Sequence, residues 1–108
     1  MSQTQAFILS PEQRPAPLDV VGVAITLLAP NTITGSYEIT LQEGSAGVGP
    51  PPHSHPWDES FYVTRGSVLF CAGGANHTAG PGTLVHVPAG TLHAFRFGPD
   101  GGGMVEFS

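Results

Sequence analysis

Glycine or proline interrupts this chain so often that no long helix can persist in it. Fifteen Gly and eleven Pro stand among 108 residues, and after residue 10 no ten consecutive residues lack both. Each glycine weakens a helix interior and each proline breaks one. The same residues make good turns, so the natural solution is short strands joined by tight turns. Disorder is the competing outcome of such a composition, but 40% of the residues are hydrophobic. That is enough apolar surface to fold one domain with a modest core.

The strand pattern can be read along the chain. Residues 6–9 (Ala-Phe-Ile-Leu) form a candidate strand, and Pro11, Pro15 and Pro17 then make an extended linker. Residues 1–19 therefore read as an arm, available for exchange with a second copy, and residues 20–108 as the globular part. Residues 20–28 read as one strand. Residues 32–42 alternate, with Ile33, Tyr37, Ile39 and Leu41 on the expected core face and a bulge at Gly35. Further strands are expected at 59–65, 67–72, 77–79, 84–87, 93–97 and 104–107, with turns at Gly66, 73–76, 80–82, 88–90 and 98–103. Nine or ten short strands, turns every 8–12 residues and no helical period define an all-β sandwich or barrel.

Charge narrows the partners. Asp, Glu, Lys and Arg are 10% of the chain, the net charge is -5, Lys is absent and Arg occurs only at 14, 65 and 96. There is no basic patch to displace counterions from nucleic acid or anionic lipid. So weakly charged a surface is expected to be covered in part by another copy of the chain, as in a homodimer. Cys71 is alone, which excludes an intrachain disulfide and fits a reducing cytoplasm. Met1–Gln5 has no basic or long apolar character of a leader, and no apolar run approaches the ~20 residues of a membrane helix.

Chemistry concentrates in Pro50-Pro51-Pro52-His53-Ser54-His55-Pro56-Trp57-Asp58-Glu59. Residues two apart share a face on an extended segment, so His53 and His55 can present two imidazoles to one ion. Glu59 adds a hard oxygen and a possible proton acceptor. Three prolines before His53 stiffen the segment. A fourth ligand must come from elsewhere, and His93, opening a strand after Pro88-Ala89-Gly90, is the best placed. Asp58 points away from Glu59 by strand parity. Phe61 and Val63 share parity with Glu59, and Phe95 and Phe97 with His93, so these four are candidate cavity walls, with Trp57 at the mouth and His86 on a neighbouring strand. His77, Tyr62 and Cys71 read as surface or structural residues.

These spacings resemble a known family. Gly47, five residues, His53-x-His55, three residues, Glu59, six residues, Gly66 is similar to the first cupin motif. Gly82, five residues, Pro88-x-Gly90, two residues, His93 is similar to the second. The chain departs from the pattern at Phe97, where the second motif usually carries Asn. The resemblance implies a single-domain jelly-roll barrel of short antiparallel strands, often dimeric. It also implies one divalent metal ion (Fe, Mn, Ni, Co or Zn) held by His53, His55, Glu59 and His93. Small cupins include dioxygenases of flavonol-type and other enolic or aromatic substrates. They also include isomerases, lyases and cyclases, and non-enzymatic modules that bind or sense a small ligand or a metal. With no lysine in the chain, and with Arg65 and Arg96 opposite in parity to Glu59 and His93, the expected substrate is small, fairly apolar, flat and oxygen-bearing rather than strongly anionic.

Overall fold

The computed structural model describes residues 5–108. The part of the expected arm, and of the reading against a leader, that falls on residues 1–4 lies outside them. Among the described residues seven antiparallel strands form: β1 (Leu18–Val20), β2 (Val23–Ala29), β3 (Ile39–Gly44), β4 (Glu59–Ala72), β5 (Ala75–Ala79), β6 (Leu84–Val87) and β7 (His93–Phe107). Their order is β1-β2-β3-β7-β4-β5, and β6 pairs with β4. The all-β jelly-roll expectation holds, with only two short helical turns among the described residues, at Pro11–Gln13 and Asn31–Thr34 (α1). No helix among the described residues is long and apolar enough to cross a membrane.

Two strands are longer than the sequence pattern predicts. The pattern places a turn at Gly66 and another over 98–103. Instead β4 runs through Gly66 for 14 residues, and β7 runs through 98–103 for 15. The reason is a shared corner. Val63 pairs with Met104 and Gly66 with Gly102, but Val68 already pairs with Phe97, so 98–101 bulge opposite Ser67. Gly66 has φ 62°, and a Cβ there would lie 2.1 Å from the Gly101 carbonyl oxygen. A bulge shifts side-chain parity by one. In β4 the buried residues change from Phe61 and Val63 to Val68 and Phe70. In β7 they change from His93, Phe95 and Phe97 to Met104 and Glu106. The inward face thus stays inward as both strands bend from one side of the barrel to the other.

The first third of the chain also departs from expectation. Residues 6–9 form no strand. The single strand expected at 20–28 is a hairpin, with Val21 (φ 47°) and Gly22 (φ 87°) as its two-residue turn. The Gly22 N–H donates to Asp19 Oδ1 at 2.9 Å. Two positive φ values make a type I′ turn, which matches strand twist but normally carries Asn or Gly first. A β-branched residue there is strained. Val21→Asn should therefore raise stability by about 1 kcal/mol in urea unfolding. A lower or unchanged midpoint would show that Val21 is not strained.

Residues 31–34 turn helically and end at Gly35 (φ 85°), so β3 begins only at Ile39. Its buried residues are Thr40 and Gln42, not Ile39 and Leu41. The face that sequence alternation marks as core is the outer one. The inner face of β3 is polar because it looks into a cavity rather than onto packed side chains. The packed core lies along the bent strands and includes Phe61, Val63, Val68, Phe70, Phe97 and Met104.

Candidate metal centre

The segment 47–53 is held against β7 as though it were a further strand. Gly47 N–H donates to the Phe97 carbonyl and Phe97 N–H to the Val48 carbonyl, both at 2.9 Å. His53 and His93 then exchange both backbone hydrogen bonds, also at 2.9 Å. This pairing is what joins the two halves of the sequence pattern: two histidines 40 residues apart become direct cross-strand neighbours. Gly49 makes the approach possible, because a Cβ there would lie 1.8 Å from the Phe95 carbonyl oxygen.

The turn at 88–90 is fixed from the other side. Gly90 N–H donates to the His55 carbonyl at 2.7 Å, and Ala89 N–H to Asp58 Oδ1 at 2.8 Å. Asp58 is thus an exposed structural residue that clamps the Pro88-Ala89-Gly90 turn. Trp57 is half exposed and stacks on the His55 ring, with centroids 4.6 Å apart and planes within 10°.

One ring nitrogen from each of His53, His55 and His93 lies within 4.8 Å of the others, so these three can hold a metal ion. Glu59 stands beside them, with Oε1 3.1 Å from His93 Nε2 and Oε2 3.7 Å from His55 Nε2. Two hydrogen bonds set the tautomers. His53 Nδ1–H donates to the Pro51 carbonyl and His93 Nδ1–H to the Thr91 carbonyl, each at 2.8 Å. Backbone acceptors on Nδ1 leave the Nε2 lone pairs free, as in imidazoles that bind metals. In that tautomer His93 Nε2 and Glu59 Oε1 are two electron-rich atoms at 3.1 Å, a contact that a shared metal ion or a shared proton relieves. The donor set fits a divalent ion on this ground. Mixed imidazole and carboxylate ligation, with no thiolate at hand, suits Fe, Mn, Ni, Co or Zn.

His53, His55 and Glu59 line a cavity of about 440 Å³ whose walls are otherwise mostly apolar, and His93 stands against Glu59. Val23, Ile25, Phe61 and Phe95 line its sides, and Val20, Val21, Pro50 and Pro51 also border it. Four residues expected there stand elsewhere. Val63 and Phe97 are buried in the packed core. Phe97 lies against Gly44, where a Cβ would meet its ring at 2.4 Å. Trp57 packs outside, on His55. His86 is exposed and hydrogen-bonds Ser60 Oγ at 2.9 Å. Strand parity places a side chain inside the barrel, but depth along the strand decides whether it reaches the cavity.

Three inward polar residues were missed by the sequence reading. Gln42 lines the cavity, its Nε2 donates to Thr40 Oγ1 at 3.2 Å, and the Thr40 hydroxyl donates to Glu106 Oε1 at 2.8 Å. Glu106 is 5% exposed. Its strand parity with Met104 was the available signal. Burial pushes its carboxyl up to about 7, the charge of Glu59 and a hydrogen bond to it add to the rise, and hydrogen bonds from Thr40 and Ser108 oppose it.

A raised carboxyl has a definite linkage sign. Below about pH 4.5 Glu106 is protonated in both folded and unfolded chains. Between 4.5 and 7 the unfolded chain ionises first, so folding stability falls as pH rises, and above 7 the penalty is complete. Metal-free Glu106→Gln should therefore exceed wild type by about 1–2 kcal/mol at pH 8 in urea unfolding, with the gap closing near pH 4. A gap that does not change with pH would contradict this.

The cupin domain family model matches residues 37–103, more than half of the chain. The chain belongs to the cupin domain family. This cupin is 32% identical over 63 residues to a quercetin 2,3-dioxygenase of Bacillus subtilis (strain 168), a match covering 57% of this chain and 19% of that protein. It thus spans about a fifth of the length of that relative. Among solved structures it superposes on KdgF from Halomonas sp. with a TM-score of 0.83 at 17% identity, covering 94% of this chain and 92% of the other. It superposes on the polyketide cyclase RemF from Streptomyces resistomycificus with a TM-score of 0.80 at 22% identity, covering 95% and 78%. At these identities the structural likeness establishes the shared fold.

Proposed function

We propose that this cupin is a metal-dependent oxidoreductase of the dioxygenase type, acting on a small, flat, enolic or aromatic substrate through its oxygens. The observation that carries the reading is the clustering of three histidines and Glu59 beside a cavity with phenyl walls. His53, His55, His93 and Glu59 would hold one divalent ion. Such an ion, when bound, supplies a Lewis acid with open positions for substrate oxygen or dioxygen.

The protein's own groups do the rest. Phe61 and Phe95 offer faces for a planar ring and keep water out. Glu59, only 11% exposed at its side chain, can take the proton of an enolic hydroxyl in hydrogen-bond reach. None of the residues lining the cavity is Lys or Arg. Arg65 instead meets Glu43 at 3.4 Å on the outside. Strongly anionic substrates are disfavoured on that account. A cavity of about 440 Å³ lies within the range of small-molecule sites.

The relative from Bacillus subtilis, named for a quercetin 2,3-dioxygenase activity, supports this choice among cupin chemistries. A second reading is a non-oxidative isomerase, lyase or cyclase. Glu59 at the cavity wall favours it, because a carboxylate there can take and return a proton without oxygen.

Oxygen uptake by protein loaded in turn with each of the five metals, offered quercetin, an enediol or a diketone, separates these readings. The dioxygenase reading requires metal-dependent uptake that is lost in His93→Ala. Conversion under nitrogen would favour the second reading. Tight ligand binding with no conversion under any condition would leave a binding or sensing module. Exposed Leu18, Val20 and Leu69 also support a homodimer in solution, which a monomer mass in sedimentation equilibrium would rule out.

A further inference from the structure

Gln42 is the neutral polar side chain in a cavity wall whose other polar members are the candidate metal ligands. It is 9% exposed. Its Nε2 is committed to Thr40 Oγ1, and its Oε1 accepts no hydrogen bond from any described residue. Because no buried side-chain polar atom among the described residues lacks a partner, this oxygen is accessible from the cavity, where an acceptor can meet a ligand donor.

Two hydrogen bonds hold the amide: the Thr40 hydroxyl donates to Glu106 Oε1 at 2.8 Å, and Thr40 Oγ1 accepts from Gln42 Nε2 at 3.2 Å. That holds the NH₂ of Gln42 toward Thr40 and leaves the carbonyl oxygen for the cavity. The chain Glu106–Thr40–Gln42 thus sets the polarity of the wall as a hydrogen-bond acceptor. Gln42 is also cross-strand neighbour to Ile25, another wall residue, so the acceptor stands in an otherwise apolar strip.

We propose that Gln42 is a specificity-determining residue whose Oε1 accepts a hydrogen bond from a hydroxyl of the substrate, separate from the oxygens that meet the metal. This rests on the reading of the cavity as a site for flat, oxygen-bearing substrates and narrows it to polyhydroxylated ones. Thr40 is the positioning residue that orients the amide.

The test uses protein loaded with zinc, which binds without redox turnover, and two flavonols. 3-Hydroxyflavone carries only the metal-binding hydroxyl–carbonyl pair, whereas quercetin adds further hydroxyls. The preference for quercetin over 3-hydroxyflavone, read as a ratio of dissociation constants by calorimetry, should fall roughly tenfold in Gln42→Leu. The affinity for 3-hydroxyflavone should change by less than about twofold. Gln42→Met serves if the leucine variant folds poorly. Thr40→Val, which keeps Gln42 but releases its orientation, should lose part of the preference.

An unchanged ratio in the Gln42 variants, or equal weakening of both flavonols, overturns the assignment while leaving the site reading intact. Failure of the zinc-loaded wild type to bind either flavonol overturns the site reading and this assignment with it.

Discussion

His93→Ala is expected to lower the affinity for Co(II) or Ni(II) by more than about 100-fold, beyond the ~10–100-fold typical of losing an outer-shell partner. His93 is 3% exposed, its Nε2 faces Glu59, and its Nδ1 is held by the Thr91 carbonyl. No other described imidazole can replace it: His77 and His86 lie on exposed positions of β5 and β6. The fold should survive, because position 93 pairs with His53 through its backbone, which alanine keeps. Competition titration against a chelator, with far-UV circular dichroism as a control, measures both. Wild-type affinity in a folded variant would remove His93 from the site.

Gly49→Ala should be a severely damaging addition of a single methyl, at about 3 kcal/mol or more in urea unfolding. The added Cβ would sit 1.8 Å from the Phe95 carbonyl oxygen, which is backbone and cannot step aside. Moving the loop away would break the Gly47–Phe97 and His53–His93 pairings together. Metal affinity should therefore fall with stability, although residue 49 is not a ligand. Gly47→Ala is the contrast. Its Cβ would meet nothing within 4 Å, and only its φ of 78° opposes the change, so about 1 kcal/mol is expected. Equal losses at both positions would show that strand approach is not what Gly49 provides.

The candidate site was legible in the sequence because its geometry is local on each side. His53 and His55 lie two apart on an extended segment, and Glu59 and His93 open the strands that come after rigid turns. What the sequence could not supply was depth and curvature. Gly66 and residues 98–103 look like turns in isolation. Only the pairing of β4 with β7 reveals that they are one corner, crossed by two continuous strands.

The reading of 32–42 failed for a different reason. Alternation reports that one face is more apolar, not which face is inward. Around a cavity the inner face carries polar groups, and Thr40 and Gln42 took the place expected of Ile39 and Leu41. The same effect hid Glu106, an acid inside a barrel, where composition alone would have placed it on the surface. Phe97 occupies a position with a different residue in the family pattern, and its ring packs on Gly44 in the core rather than in the cavity.

Whether His53, His55, His93 and Glu59 hold one divalent ion together is tested most directly by X-ray absorption at the edge of the metal carried by protein purified from its own host. Metal content is counted per chain in the same sample. About one ion per chain is expected, with three imidazole nitrogens and carboxylate oxygen in the first shell at ~2.0–2.2 Å. A first shell without imidazole, or metal content unchanged when His93 and Glu59 are each replaced by alanine, would contradict it.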